Sequence, residues 1–239
     1  MGTFKKDKKM ILHIPNILSK EQLIECRKLL DNANWIDGKL TAGSQAVNVK
    51  SNLQLAENDE LLEYLRKVIT NALNKNPLFI SATLPNHIIS PFVNRYENGS
   101  AYGNHVDNSI LYDATIGKSF RTDVSCSLFF TEPDEYEGGE MVIEDTFGTH
   151  EVKLPAGDLI LYPSTSLHRV EPVTSGVRMV SFMWVQSMIR SAWKRSMLFE
   201  LDNTIQSLRA KYGESQEAVN LSIHYHKLIQ EWAELWKKN

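Results

Sequence analysis

The stretch between residues 78 and 186 consists of short, apolar, β-rich runs separated by turn sequences, and this pattern restricts the fold more than any other feature. The runs begin with Leu78-Phe79-Ile80, and the turns include Gly138-Gly139 and Ala156-Gly157-Asp158. Many short strands joined by tight turns are typical of an antiparallel sandwich or barrel, such as a jelly roll. We therefore expect a mainly β core with helices outside it, which is an α+β arrangement.

Helical patterns precede this core. Ser19, followed three residues later by Gln22, predicts a helix that begins with a capping box. Residues 58–74 then repeat leucine, isoleucine and valine with a helical period. We expect the first part of the chain to be a helical layer that contains a few strands.

A second helical region follows the core. Residues 188–211 and 214–238 each carry one apolar stripe, and Gly213 lies between them, which predicts an antiparallel helical hairpin. The predicted organisation is an N-terminal helical and strand layer (1–77), a β domain (78–186) and a C-terminal helical hairpin (187–239).

Composition excludes several classes of protein. The net charge of −3 gives no sign of the basic surface that binds nucleic acid. The sequence also lacks a run of 18 apolar residues, which a membrane-spanning helix would need. Cys26 and Cys126 are the only cysteines in the sequence, too few for a disulfide framework. With no signal peptide recognised, these features predict a cytoplasmic protein. Trp193, Trp232 and Trp236 could serve a core or a dimer face, so a homo-oligomer stays open.

The most specific chemical pattern is His105-Val-Asp107, with His168 further along the chain. One intervening residue lets the His105 and Asp107 side chains project from the same face of an extended segment. A distant histidine then completes a set of two histidines and one carboxylate, which leaves one face of a metal open, as in non-haem Fe(II) oxygenases. His-x-Asp alone is weak, since such pairs are common in surface turns, and a lone His168 would be an ordinary core histidine.

Arg178 adds a second clue. It lies near the start of an apolar strand, and a buried guanidinium needs a partner. A structural partner such as Glu171 or Asp158 is one alternative; the other is the carboxylate of a co-substrate, gripped bidentately. A 2-oxo acid filling two open metal positions and O2 filling the third favours Fe(II) over zinc at this set. We expect His168 and Arg178 to lie on consecutive strands of one hairpin.

These residues resemble the Fe(II)/2-oxoglutarate-dependent dioxygenases of the prolyl/lysyl hydroxylase-domain family, the PKHD-type hydroxylases. The similarity covers nearly the whole chain, and no key residue departs from the pattern. The matching segments are Arg95–Asn108, Arg121–Ser125, Tyr136–Glu140, Leu154–Asp158, Tyr162–Val170, Arg178 and Phe182–Arg190.

The resemblance implies a double-stranded β-helix, a variant of the jelly roll. It implies Fe(II) held by His105, Asp107 and His168, with 2-oxoglutarate chelating the iron and its far carboxylate on Arg178. Tyr96 matches a position from which related hydroxylases hydrogen-bond 2-oxoglutarate. The family is also described as using O2 and as binding ascorbate, which would keep iron reduced.

The expected activity is hydroxylation of an unactivated C–H bond with release of succinate and CO2. The substrate, a peptide or a small molecule, is not encoded in any motif, although the family name suggests a prolyl or lysyl side chain. Desaturation, halogenation or uncoupled turnover at the same site stays open, as does a non-catalytic jelly-roll sensor of iron and 2-oxoglutarate. Asp107 argues against a halogenase, which usually lacks the carboxylate ligand.

Two further expectations concern the surroundings of this site. Residues 108–121 follow the His-x-Asp pair and could form a lid or a plain surface loop. Asn108, Asp123 and Ser125 are candidates for orienting the metal ligands.

Overall fold

The computed structural model describes residues 11–41, 48–113, 116–145 and 148–235. Within these ranges the chain forms five α-helices and sixteen β-strands, with short 3-10 helices at Gly38–Thr41 and Pro133–Glu135. The helices are α1 (Lys20–Leu30), α2 (Glu60–Lys75), α3 (Pro77–Thr83), α4 (Ala192–Tyr212) and α5 (Gln216–Trp232). The strands are β1 (Leu12–Ile14), β2 (Trp35–Asp37), β3 (Lys50–Ser51), β4 (Leu53–Leu55), β5 (Pro85–Tyr96), β6 (Ala101–His105), β7 (Ile110–Asp113), β8 (Lys118–Arg121), β9 (Val124–Phe129), β10 (Tyr136–Gly138), β11 (Met141–Asp145), β12 (Gly148–Val152), β13 (Leu159–Pro163), β14 (His168–Val170), β15 (Val173–Gly176) and β16 (Arg178–Ser187).

The strands build two main antiparallel sheets. The larger sheet has seven strands in the order β1-β13-β9-β16-β5-β4-β2, and the smaller has five in the order β12-β11-β14-β6-β3. Two further pairs, β7 with β8 and β10 with β15, stand apart from them. Inward-facing residues of both sheets line one cavity, so the predicted jelly-roll core is confirmed.

The two faces of the larger sheet have different neighbours. All residues of β9 and β13 are buried, as expected for central strands covered on both sides. Along β16, Met179, Met183 and Val185 join the core that includes residues of α1, α2 and α3. Arg178 and Val180, at alternating positions on this strand, line the cavity. One strand therefore serves the helical layer with one face and the cavity with the other.

The start of the N-terminal layer follows from local sequence chemistry. Ser19 accepts a hydrogen bond from the Gln22 amide, and the Gln22 side chain accepts one from the Ser19 amide, so the predicted capping box is confirmed. The prediction of a β run at Leu78–Ile80 is wrong, because these residues lie in α3. Asn76 caps this helix through Phe79 N, and Pro77 occupies its first turn.

Strands from the first part of the chain enter both sheets. β1, β2 and β4 belong to the larger sheet, and β3 pairs with β6 in the smaller. This layer is therefore joined to the core by backbone hydrogen bonds as well as by packing. The predicted boundaries at residues 77 and 186 stay predictions.

The C-terminal helical hairpin is present. Gly213 caps the C-terminus of α4 with a φ of +68°, which suits glycine, and α5 then packs beside α4. The predicted helix over 214–238 is shorter in the structure, since α5 ends at Trp232 and residues 236–239 lie outside the described part. Trp193 is 59% exposed, while Trp232 packs near Leu198. The homo-oligomer stays a prediction.

Two other expectations can be compared with the described residues. Cys26 and Cys126 are both buried and free. None of the described helices has a stretch long and apolar enough to cross a membrane.

Candidate metal and co-substrate site

Three ligand side chains come together between the two sheets. His105 ends β6, Asp107 lies two residues further on, and His168 begins β14, the strand that pairs with β6. His105 and His168 are directly opposite each other in the register. One donor atom from each of the three side chains lies within 4.8 Å of the others. Antiparallel pairing therefore assembles the predicted set.

Backbone carbonyls orient both imidazole rings. His105 Nδ1 lies 2.8 Å from Gly103 O, and His168 Nδ1 lies 3.0 Å from Ser166 O. A carbonyl oxygen can only accept, so each Nδ1 carries the proton and each Nε2 keeps its lone pair. The Tyr102 ring stacks on the His105 ring with centroids 3.6 Å apart. Both histidines are thus prepared to offer Nε2 to a metal.

A hydroxyl pair orients the carboxylate. Ser125 Oγ donates to Asp107 Oδ2 at 2.5 Å, and Ser164 Oγ lies 2.8 Å from Ser125 Oγ. Asp107 Oδ1 is left 3.9 Å from His168 Nε2. One carboxylate oxygen is therefore fixed by the protein, and the other points towards the histidine nitrogens.

Burial keeps the first histidine neutral. Desolvation, followed by the neighbouring His168, lowers the pKa of His105 from its ordinary value of 6.5 to about 4. A neutral imidazole is the form that binds a metal. The donor types and their arrangement fit a divalent metal held by a facial triad.

Arg178 lies at the start of β16, and it is 1% exposed in the same cavity. Its Nε and Nη1 have no hydrogen-bond partner among the described residues. The two structural partners considered from sequence are engaged elsewhere. Glu171 accepts from Arg169 at 2.6 Å, and Asp158 accepts from the Asn16 amide at 2.8 Å. A buried guanidinium with unused donors fits an anionic ligand.

Aromatic rings and a glycine form a cradle for this guanidinium. Arg178 Cζ lies 5.2 Å from the centroid of Tyr96, its partner in the β5–β16 register, and 5.3 Å from that of Phe129. Burial raises the pKa of the Tyr96 and Tyr136 hydroxyls, so both stay protonated near neutral pH. A Cβ on Gly139 would lie 3.0 Å from Arg178 Cδ, so only glycine leaves room for this approach.

A cavity of about 640 Å³ joins the triad to Arg178. Val170 and Val180 follow His168 and Arg178 by two residues on their strands, so they lie on the same faces and line the space with apolar surface. Polar groups at both ends of this cavity suit a small dianion with two carboxylates.

The opposite part of the cavity is aromatic. The rings of Phe92, Phe182 and Trp184 contact one another with centroids 5.4 to 6.3 Å apart. Lys50, also buried, donates to Gln54 Oε1 at 3.0 Å, and its Nζ lies 5.7 Å from the Phe182 centroid. Burial lowers the pKa of Lys50 to about 8. This wall faces the remaining space beside the triad.

Residues 108–121 contain the β7–β8 hairpin, with residues 114–115 outside the described part. The turn end of the hairpin is tied to β5, because His87 Nε2 lies 3.3 Å from Asp113 Oδ2. Ile110 and Tyr112 are 58% and 67% exposed, and Tyr112 also lines the cavity. The described residues of this segment therefore form part of the rim of the cavity, and the role of the segment as a lid stays a prediction.

One sequence expectation about the site is wrong. His168 and Arg178 do not lie on consecutive strands of a hairpin, since β15 intervenes and pairs with β10. β14 belongs to the smaller sheet and β16 to the larger, so the two residues approach the cavity from opposite sheets.

Of the three orienting candidates, Ser125 contacts a triad residue. Asp123 instead accepts from Arg121 and from the Ser187 amide, and Asn108 O accepts from Thr122. Sequence reasoning missed Tyr162, which lies near the end of β13 in the cavity wall. The signal was present: Tyr162, like Tyr96, is a tyrosine at the end of an apolar strand.

Comparison with known proteins gives a consistent result. A model of the 2OG-Fe(II) oxygenase superfamily matches residues 91–186, and one of the PKHD-type hydroxylase C-terminal domain matches residues 193–234. A PKHD-type hydroxylase of Aliarcobacter butzleri is 80% identical over 95% of this chain and 100% of its own length. Another, from Acinetobacter baumannii, is 54% identical with the same two coverages.

Solved structures share the fold at low identity. A prolyl hydroxylase from Trichoplax adhaerens, in complex with a peptide fragment of hypoxia inducible factor, has a TM-score of 0.53 at 14% identity, covering 74% of this chain and 83% of its own. The carbocyclase SnoK of nogalamycin biosynthesis has a TM-score of 0.54 at 15% identity, covering 76% and 81%. The fold alone therefore does not choose between hydroxylation and other oxidations.

Proposed function

Because this chain belongs to the PKHD-type hydroxylase family and is a 2-oxoglutarate-dependent Fe(II) dioxygenase, we propose that it hydroxylates an unactivated C–H bond, with release of succinate and CO2. The observation that carries this proposal is that one cavity contains both a metal-binding triad and a buried arginine suited to a carboxylate. Two Nε2 atoms and a carboxylate oxygen converge at one end, and Arg178 presents unused donors at the other.

Each residue has a defined task in this proposal. His105, Asp107 and His168 would hold Fe(II), and Gly103 O, Ser166 O and Ser125 fix the orientation of these three side chains. When bound, Fe(II) would activate O2, which is the oxidant, and 2-oxoglutarate would supply two of the four electrons that reduce it, leaving as succinate and CO2.

The other end of the cavity selects the co-substrate. Arg178 grips its far carboxylate, and Tyr96 lies against the guanidinium. Val170 and Val180 line the space between the two ends of the cavity. Ascorbate as a reductant and the cytoplasm as the compartment belong to this proposal, the latter because both thiols are free and buried.

For the primary substrate we propose a prolyl side chain within a peptide. The aromatic wall of Phe92, Phe182 and Trp184 offers ring faces on which a flat aliphatic ring packs. Val106 and Tyr112 line the same cavity and are exposed, as is Ile110 nearby in the chain, so apolar surface is available there for a polypeptide. A lysyl side chain is the alternative, although it lacks the rigid ring that the wall fits.

The test is product analysis under turnover conditions. Protein loaded with Fe(II), 2-oxoglutarate and air is incubated with matched prolyl and lysyl peptides, and peptide mass and succinate are followed together. We expect prolyl peptide to gain one oxygen atom for each succinate released, and His168→Ala to give neither product. Oxygen gain on lysyl peptide would reassign the substrate. Succinate release with no oxidised peptide would contradict a peptide substrate, and ligand binding without succinate would favour the sensor.

A further inference from the structure

A tyrosine hydroxyl lies against the metal-facing nitrogen of His168. Tyr162, near the end of β13, is 4% exposed, and its Oη lies 3.3 Å from His168 Nε2. The two rings meet edge to face, with centroids 5.0 Å apart. Packing thus fixes the phenol beside the triad.

The direction of this hydrogen bond is settled by the other side of the imidazole. His168 Nδ1 donates to Ser166 O, so Nε2 is an acceptor and the Tyr162 hydroxyl is the donor. A phenol hydroxyl is protonated at neutral pH, so it has a proton to donate. In the metal-free protein, Tyr162 therefore donates to the lone pair that a metal would use.

Metal binding removes this acceptor. Once Nε2 is a ligand, its lone pair is committed, and the buried Tyr162 hydroxyl needs another partner. The Ser127 and Ser125 hydroxyls are both hydrogen-bonding neighbours of the Tyr162 hydroxyl, and Ser125 already donates to Asp107 and contacts Ser164. The strongest acceptor to enter this space is the chelating carboxylate of 2-oxoglutarate, because a charge-assisted hydrogen bond is stronger than one between hydroxyls.

We propose that Tyr162 is a further 2-oxoglutarate-binding residue, which donates from its phenol hydroxyl to the carboxylate at the metal-chelating end of the co-substrate. This inference rests on the proposed function. It gives the co-substrate a protein contact at each end, Arg178 at the far carboxylate and Tyr162 at the near one. It also couples the two loading steps, since metal binding frees the donor that the co-substrate then uses.

The experiment is an anaerobic binding series on Tyr162→Phe, which keeps the ring and its packing but removes the hydroxyl. Fe(II) affinity is measured first, then 2-oxoglutarate affinity by calorimetry and by the visible charge-transfer band of the chelate. Loss of a hydrogen bond to a charged group corresponds to roughly ten- to a hundredfold weaker binding. We expect that loss for 2-oxoglutarate, a shifted band, and no loss of Fe(II) affinity, because the metal no longer has to displace a hydrogen bond from His168 Nε2.

Two comparisons make the result specific. Pyruvate has the 2-oxo acid but lacks the far carboxylate, so Tyr162→Phe is expected to weaken pyruvate and 2-oxoglutarate by a similar factor. Arg178→Lys is expected to weaken 2-oxoglutarate alone. Tyr225→Phe, on α5 in the C-terminal hairpin, is the matched control and is expected to bind both as the wild type does.

Three outcomes separate the possibilities. Unchanged 2-oxoglutarate affinity in Tyr162→Phe would mean that the hydroxyl turns to the neighbouring serines, which overturns the proposal. Weaker Fe(II) binding with normal 2-oxoglutarate binding would reduce Tyr162 to a residue that positions His168, and also overturns it. Failure of the wild type to bind 2-oxoglutarate in the presence of Fe(II) would contradict the proposed function itself.

Discussion

At the scale of single residues, the site depends on side chains whose positions are determined by their neighbours. Asp107 is held by one hydroxyl at 2.5 Å, and both histidines are held by carbonyls two residues earlier in the chain. The carbonyl contacts cannot be removed by mutation of a side chain, whereas the Ser125 contact can. A substitution of Ser125 therefore tests the orientation of Asp107 without changing any of the three ligand side chains.

Ser125→Ala is expected to lower the affinity for Fe(II) by about ten- to a hundredfold, the usual effect of removing a group that orients a metal ligand. Binding is measured by anaerobic calorimetry, with exposed Ser119→Ala as the control. An affinity equal to the wild type would show that Asp107 keeps its position without this hydroxyl.

Lys50 gives a prediction about pH. Its folded-state pKa is lowered from 10.5 to about 8, chiefly by burial, so the unfolded chain binds more protons between these values. Stability is therefore expected to rise as pH increases from about 8 towards 10. In Lys50→Met, the free energy of unfolding should lose this rise with pH when it is measured by chemical unfolding across that range. A Lys50→Met profile parallel to that of the wild type would contradict the shift.

At the scale of elements, the sequence patterns are informative where one local rule acts alone. The capping box of α1, the Gly213 turn and the many short strands need only local chemistry. The strand prediction for Leu78–Ile80 fails because it gives the β-rich triplet more weight than the helix start signal Asn76-Pro77. In the folded protein the start signal decides, and the triplet lies in α3. The His168–Arg178 hairpin prediction fails because β15 is only four residues long and its partner β10 is remote in sequence.

The turn between β10 and β11 carries an element-scale prediction. Gly139 has a φ of +67°, and a Cβ there would lie 2.7 Å from Val173 Cγ2 and 3.0 Å from Arg178 Cδ. Gly139→Ala is expected to lower the free energy of unfolding by about 1–3 kcal/mol and to weaken 2-oxoglutarate binding by displacing Arg178. Gly99→Ala is the matched control, because Gly99 has a φ of +82° and a Cβ added there would meet nothing within 4 Å.

Urea unfolding and 2-oxoglutarate titration separate the two effects. Gly99→Ala is expected to lose stability through its backbone alone and to bind 2-oxoglutarate normally. Equal binding by both variants would show that the Gly139 contact with Arg178 is unimportant.

At the scale of the whole molecule, the site exists because residues distant in the chain meet between two sheets. The ligand types and Arg178 could be chosen from the sequence, since their chemistry is specific. The aromatic wall and the channel between the triad and Arg178 could not, because which strand faces which is decided by long-range pairing. The unused donors of Arg178 are likewise a property of the folded protein.

The two cysteines report on this global packing. Burial raises the pKa of Cys26 to about 11 and that of Cys126 further, so little thiolate is present at neutral pH. In the native protein we expect both thiols to react with a thiol reagent only at the rate at which the fold opens. In denaturant we expect both thiols to react immediately. Fast labelling of either thiol without denaturant would contradict the described core.

The most direct test of the central claim is an anaerobic titration of the metal-free protein with Fe(II) and then 2-oxoglutarate, followed by visible absorption. We predict a weak charge-transfer band that saturates at one 2-oxoglutarate per protein. Asp107→Ala and His168→Ala should fail to form the band, and Arg178→Lys should require more 2-oxoglutarate. No band in the wild type with Fe(II) bound, or an undiminished band in Asp107→Ala, would contradict the assignment of this cavity as the Fe(II) and 2-oxoglutarate site.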